Sequence, residues 1–383
     1  MNVQLQSRAK PNPKLDSRDD RSVVLAGIGI AQPRYSISQI DAAEIAKSFI
    51  AGHEEQIALL PTLYRMSRVR QRGSVLLESD VPGEKRQSFF PPAIDNNCHG
   101  PSTAVRMQKY ADEALPLAVE AATQALADSC LGASEITHLI TASCTGFDAP
   151  GVDIGLVRRL GLRPDVARFH IGFMGCHSAI NAMRLAKALV QADADANVLV
   201  CCVELCSLHN SYGWDPEKTV ANALFADGAG AMVFRDGDQS SERLWQLSSV
   251  GSCLIDNSED AMNWRIGDHG FEMGLSPRVP HIIEQSLHGW VSQWLEQQQL
   301  SIDKINSWAI HPGGPKIVRS AANALGLSDD QISPSMQILA QHGNMSSATL
   351  IFILKQLLAS HADYPIVGMA FGPGLVVEAC LFE

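Results

Sequence analysis

The chain has 383 residues, 46% hydrophobic and 19% charged, enough for a large core and for two conventional domains or one duplicated unit. Its formal charge of −11 argues against nucleic acid as a main partner, because holding phosphates needs a dense cationic surface. The nine cysteines follow no regular spacing, which excludes a disulfide framework and points to a reducing cytoplasm.

Residues 1–21 are polar and lack the apolar stretch of a signal peptide, so they read as a disordered arm. Nothing downstream approaches the roughly 18 apolar residues of a membrane span. From Ser22 onward, strand-like and helix-like pieces alternate. SVVLAGIGIA (22–31) reads as a strand, and ISQIDAAEIAKSFI (37–50) as a helix capped by Ser38 with Asp41 three residues on. A helix follows over 112–131, then the strand ITHLITASC (136–144) and the turn TGFDAPG. A buried-looking strand around FHIG leads through Cys176 into a helix whose Ile180, Met183, Ala186 and Leu189 recur on one face. NVLVCCVEL and GAGAMVF complete this half as strands.

The second half repeats the grammar. It has a helix over 279–298, the strand SWAI, the loop HPGGP, the helix 316–327, a helix over 346–360, and the strands PIVGMAFG and LVVEACLF. Apolar strands separated by helices indicate α/β layers with sheets covered on both faces. FRDGDQSSERLWQL (234–247) is the most linker-like passage, which divides the chain into halves 22–236 and 237–383.

Cys176 precedes the first turn of a helix, where free N–H groups and the dipole favour a thiolate. A buried inert thiol is the competing reading. His311 ends a short apolar strand before a Pro-Gly-Gly turn, the kind of place where sites gather in α/β proteins. Asn344, preceded by Gly343, is open to two readings: a helix cap, or an amide N–H donor to a developing oxyanion. Cys201, Cys202 and Cys206 in CCVELC read as core rather than as metal ligands, because neighbouring strand residues face opposite ways.

Five segments carry a family likeness: GFMGCHSAINAMRLA, LFADGAGAMVF, WAIHPGGPKIV, HGNMSSATLIFIL and MAFGPGLVVEACLF. In order and spacing they resemble the type III polyketide synthases, the chalcone synthase-like group, over nearly everything from residue 22. The resemblance implies the α/β thiolase fold, two α/β halves in a five-layered αβαβα arrangement, and a homodimer. It implies Cys176 as nucleophile, His311 and Asn344 as its partners, Phe225 as a gatekeeping aromatic, and a pocket that includes Ser346 and the Gly372, Pro373, Gly374 loop.

The implied substrates are an acyl-CoA starter and malonyl-CoA, with no metal and no other cofactor. Their phosphates would meet Arg65, Arg68 and Arg70, in a run that also holds Arg72, with Gly313 and Gly314 along the entry. Ala149 stands where plant members carry a Met that reaches the partner's cavity, Met273 where they carry a second gatekeeping Phe, and His209 near a Thr. Those departures imply a looser cavity, a fatty acyl starter and an alkylpyrone or alkylresorcinol product. A single condensation of the ketoacyl-ACP synthase III type and a chalcone-type aromatic product are the alternatives.

Overall fold

Residues 21–383, apart from 53, 82, 83, 85 and 238–244, are described by the computed structural model. The first part of the chain holds β1 (Val23–Ala31), β2 (Ser36–Ser38), α1 (Gln39–Lys47), α2 (Glu54–Met66), β3 (Gln71–Gly73), α3 (Thr103–Ser129) and β4 (His138–Ser143). Then come α4 (Val152–Leu160), β5 (Ala167–Gly172), α5 (Ser178–Ala192), β6 (Val198–Leu205), α6 (Pro216–Leu224) and β7 (Asp227–Asp236). The remainder holds β8 (Trp245–Leu254), β9 (Met262–Gly267), β10 (Gly270–Leu275), α7 (Val279–Glu296), β11 (Ser307–Ile310), α8 (Pro315–Leu325), α9 (Asp329–His342), α10 (Ala348–Ala359), β12 (Ile366–Gly372) and β13 (Val376–Phe382).

Nine strands form one sheet in the order β11-β12-β13-β8-β1-β7-β6-β4-β5. Among the described residues, its two parts pair where Val24 and Leu25 of β1 meet Gln246 and Trp245 of β8. Between them lie α5 and α10, whose Ile180, Met183, Leu350 and Phe352 share a buried cluster with strands of both parts. Helix α10 is apolar nearly all round because it is buried on all sides. Helices α3 and α4 cover the outer face of the first part, and α7 and α8 that of the second. Helix, sheet, helix, sheet, helix: five layers result.

Close approach of α3 to β1 depends on small residues. A Cβ on Gly29 would lie 2.1 Å from the Ala121 carbonyl oxygen, and Ala114, Ala118, Ala121, Ala122 and Ala125 line the facing helix.

Several boundaries differ from the sequence reading. Helix α3 begins nine residues earlier, at Thr103, because Arg106 and Tyr110 continue its buried face. The strand before Cys176 is an exposed edge strand, not a buried one: β5 ends the sheet with Phe169 and His170 facing outward. Of the linker-like passage, 234–236 and 245–247 belong to β7 and β8, and 238–244 lie outside the described residues. The N-terminal arm lies outside them too, except Arg21, which donates to the Gln191 carbonyl. Among the described residues no helix is long and apolar enough to cross a membrane.

Candidate active site

Cys176 sits in a 3-10 turn, Gly175–His177, between β5 and α5. Gly175 adopts φ +80, and a Cβ there would lie 2.3 Å from Pro373 Cδ. A Cβ on Gly372 would lie 2.1 Å from the His177 ring. The loop from Gly372 to Gly374 is thus seated directly on the cysteine turn, which only glycine permits at both contacts. Cys144 Sγ accepts from the Gly175 N–H at 2.9 Å, and the Ser346 hydroxyl donates to Cys176 Sγ at 3.6 Å.

Burial pushes the Cys176 thiol up to about 12, with the Glu204 carboxyl adding to the rise and Ser346 opposing it. This corrects the expectation of a resting thiolate. A helix terminus supplies at most about 2 kcal/mol, whereas a rise from 9.0 to about 12 corresponds to roughly 4 kcal/mol. Desolvation wins, and the resting sulfur is protonated.

His311 follows β11, its backbone N–H donating to the Met369 carbonyl at 2.8 Å. The side chain is buried, and neither ring nitrogen has a partner among the described residues. Burial, with His177 adding to it, brings its pKa down to about 3. Buried polar groups are nearly always paired, so the unpartnered imidazole makes His311 a candidate ligand contact. His177, which the sequence reading set aside, belongs to this neighbourhood. Its Nδ1–H donates to Asn181 Oδ1 at 2.8 Å, and the Asn181 amide donates to Glu378 at 3.1 Å. Ser252 also donates to Glu378, and Arg184 forms an ion pair with it.

Asn344 is not a helix cap: α10 begins four residues later, with Ser347 at the N-cap position and its hydroxyl turned to Glu204. Its backbone bridges to the chain at Phe225, with Asn344 N–H donating to the Leu224 carbonyl and Ala226 N–H donating to the Asn344 carbonyl, each at 2.9 Å. Its Oδ1 accepts from Ser346 N–H at 2.9 Å, which aims the amide and leaves Nδ2 as donor. Through Ser346, Asn344 is tied to the sulfur of Cys176.

A small cavity opens beside Cys176, bounded by Ser346, Phe225, Met273, Pro373 and Trp264. Met262 also lines it. Ala149 is exposed and is not among its lining residues. His209 stands one layer behind, stacked on Phe271 at 4.2 Å. Its Nε2–H donates to the Thr145 carbonyl and its Nδ1 accepts from Phe271 N–H, so the ring is neutral and fully occupied. Cys201 and Cys202 pack into opposite core clusters, but Cys206 lines the cavity rather than the core.

The end of α2 separates two grooves. Gly313 and Gly314 line one with Leu63, Met66 and Lys316. Arg65, Arg68 and Arg70 line another with Arg319. Arg72 does not join them: it is buried and donates to the Asn222 and Phe225 carbonyls, bracing the gatekeeping turn.

Sequence reasoning missed Glu204, since a lone Glu in an apolar strand carries no spacing signal. It is fully buried and accepts from Cys144 N–H, the Thr145 hydroxyl and the Ser347 hydroxyl. Burial raises its carboxyl to about 7.

With this geometry in view, comparison with known proteins is informative. The family profile of the chalcone and stilbene synthase N-terminal domain matches residues 15–237, and that of the C-terminal domain matches 246–383. An alpha-pyrone synthesis polyketide synthase-like protein, Pks18, of Mycobacterium tuberculosis is 35% identical over 372 residues, covering 94% of this chain and 91% of its own. Bisdemethoxycurcumin synthase of Oryza sativa is 31% identical, covering 96% and 93%. The crystal structure of PKS-I from the brown alga Ectocarpus siliculosus superposes with a TM-score of 0.87 at 29% identity, covering 95% and 98%. That of the C-terminal type III polyketide synthase domain of Steely1 from Dictyostelium gives 0.85 at 26%, covering 94% and 99%. The chain therefore belongs to the chalcone and stilbene synthase family: it is a type III polyketide synthase, a condensing acyltransferase built on the thiolase fold.

Proposed function

We propose that the protein extends an acyl-CoA starter with malonyl-CoA in repeated decarboxylative condensations on Cys176 and closes the product to an alkylpyrone or alkylresorcinol. The pyrone reading draws on the name of the mycobacterial relative and on the apolar lining beside Cys176. The observations that support the mechanism are the buried, unpartnered His311 ring beside His177, the residue after Cys176, and the aimed amide of Asn344, which Ser346 links to the sulfur.

Because the resting thiol and imidazole are both neutral, His311 takes the Cys176 proton as the sulfur attacks the starter thioester. The carbon–sulfur bond to CoA breaks, and the departing thiolate takes the proton back. Malonyl-CoA then enters with its thioester carbonyl accepting from an imidazole N–H and from Asn344 Nδ2–H. Loss of CO2 leaves the electron pair as an enolate, whose oxygen these two donors stabilise without protonating it. The enolate carbon attacks the acyl-cysteine, the thiolate of Cys176 leaves, and the lengthened chain, now on CoA, can return to the sulfur. Coenzyme A thioesters are the substrates in this scheme; no metal or other cofactor is invoked.

We place the pantetheine arm in the groove by Gly313 and Gly314 and the phosphates toward Arg65, Arg68 and Arg70, which are exposed and supply positive charge on an acidic chain. A homodimer in the cytoplasm completes the proposal; all nine cysteines are free, as a reducing compartment requires.

Intact-protein and product mass spectrometry with a starter panel and malonyl-CoA tests the scheme. Cys176→Ala should show no acyl adduct and no product. Asn344→Asp keeps an acceptor for Ser346 N–H but sets a carboxylate against the enolate. It should therefore load starter normally while malonyl decarboxylation falls by about 10²-fold or more. A Cys176→Ala protein that still extends chains, or wild type that makes only one extension on a carrier protein, would refute the proposal.

A further inference from the structure

The end of helix α2 stands as an exposed ridge between the two grooves described above. We propose that this ridge, with the neighbouring turn of α1, seats the enzyme on an anionic phospholipid bilayer, so that the groove by Gly313 and Gly314 opens at the lipid surface. The lipid contact stands on its own; its use for a fatty acyl starter rests on the polyketide reading above and deepens it.

One edge of the ridge is apolar. Leu59, Leu63 and Met66 recur at the spacing of a single helix face, and Leu59 and Met66 are 51% and 57% exposed. Leu63 and Met66 line the groove that holds Gly313 and Gly314, and exposed Val220 and Pro277 border the same groove. Ile40, 78% exposed at the start of α1, lines the other groove with Arg65. Single exposed apolar side chains are ordinary, but three that are more than half exposed, on two helices packed together, form a patch.

The other edge is cationic. Arg65, Arg68 and Arg70 are exposed, and none of them forms an ion pair among the described residues. The acids that line or border their groove are taken: Glu44 by Lys47, and Asp329 by Arg319. Glu54 and Glu55 sit at the opposite end of α2. The helix rise puts them about 15 Å from Arg65, beyond the roughly 8 Å over which exposed charges act in physiological salt. The ridge is therefore locally positive on a chain of net charge −11.

An anionic bilayer meets both edges at once. Its phosphates answer the arginines, and its acyl boundary receives Ile40, Leu59 and Met66. A crest flanked by grooves offers a folded partner little area to pack against, whereas a fluid interface closes around it. Seated this way, the substrate entry opens where long-chain acyl thioesters partition.

The test sediments the full-length protein, without substrate, against vesicles of equal parts phosphatidylglycerol and phosphatidylcholine. Wild type should pellet with these vesicles and not with phosphatidylcholine alone, and added salt should release it. One arginine near an anionic surface is worth about fivefold in partition, so Arg68→Glu should weaken binding by at least that factor. Ile40→Asp combined with Leu59→Asp should weaken it about tenfold or more. Both positions are exposed, so without vesicles this double variant should keep kcat/KM for a short, water-soluble starter within about twofold of wild type. With anionic vesicles and a long-chain starter, it should fall behind wild type.

Wild type that stays in the supernatant with anionic vesicles overturns the proposal, and so does vesicle binding that the double variant retains in full. Binding of an acidic carrier protein in place of vesicles, weakened by the same substitutions, would assign the ridge to a protein partner and overturn it too. A wild type that binds vesicles yet condenses malonyl-CoA onto no starter would remove the polyketide reading and leave the lipid contact standing.

Discussion

Glu204 holds a carboxyl group in the middle of the molecule, against the loop that bears Asn344 and Ser346. Ser347 donates to one oxygen, and Cys144 N–H and the Thr145 hydroxyl to the other, yet burial still raises it from 4.5 to about 7. A raised carboxyl stabilises the fold fully below its unfolded value. That contribution fades as pH climbs through about 7, because the unfolded chain releases the proton first. Between pH 4.5 and 7 the loss amounts to roughly 3 kcal/mol. Urea denaturation of wild type should therefore show stability declining over this range, and Glu204→Gln should flatten the decline. The same substitution removes a negative charge that raises the Cys176 thiol, so alkylation of Cys176 by iodoacetamide near pH 8 should quicken. An unchanged pH slope together with an unchanged alkylation rate would mean that Glu204 does not titrate in this range.

At the scale of elements, the cysteine turn is defined by what presses on it. Gly175 combines φ +80 with a neighbouring proline ring 2.3 Å from where a Cβ would be, whereas Gly161 has φ +72 and open space. Gly161→Ala therefore costs only left-handed strain, about 1–2 kcal/mol. Gly175→Ala adds overpacking of a further 1–3 kcal/mol or so and displaces Cys176. Urea midpoints should rank the two accordingly, with acyl loading lost only in Gly175→Ala; equal costs would refute the seating of the Gly372–Gly374 loop on the turn.

Periodicity made α5, α7, α8 and β11 to β13 legible, because each buries a face of regular spacing. Cys176 and His311 were legible because both sit where a strand gives way to a turn before a helix. Asn344 could not be told from a cap until the start of α10 was known. The strand before Cys176 misled because an edge strand and a core strand can share one apolar pattern. Trp264 and Glu204 stayed silent for a different reason. Their meaning depends on cross-strand and cross-half neighbours, Met273 and Ser347, that no local spacing encodes.

The whole molecule is asymmetric at the two ends of its sheet. At one end β11 packs against α9, and the Ile310 N–H is satisfied by the Ser335 hydroxyl. At the other, β5 pairs with β4 only, and Phe169, 38% exposed, lies on that bare edge. Phe147 and Met174, at 41% and 42% exposed, flank the adjoining segments, and the Ala149 loop is exposed beside them. An unpaired edge rimmed with large apolar side chains invites a second strand, and a second copy of this chain offers the same edge by two-fold symmetry. A stable contact of this kind buries about 1,200 Å² or more. Phe169→Lys places a charge where such an edge must close. In the proposed homodimer this edge is the contact, so sedimentation should find Phe169→Lys at half the mass of wild type, with product formation falling in parallel with the dimer fraction. A Phe169→Lys protein that sediments with wild type, at concentrations from micromolar downward, would show that the association uses some other face.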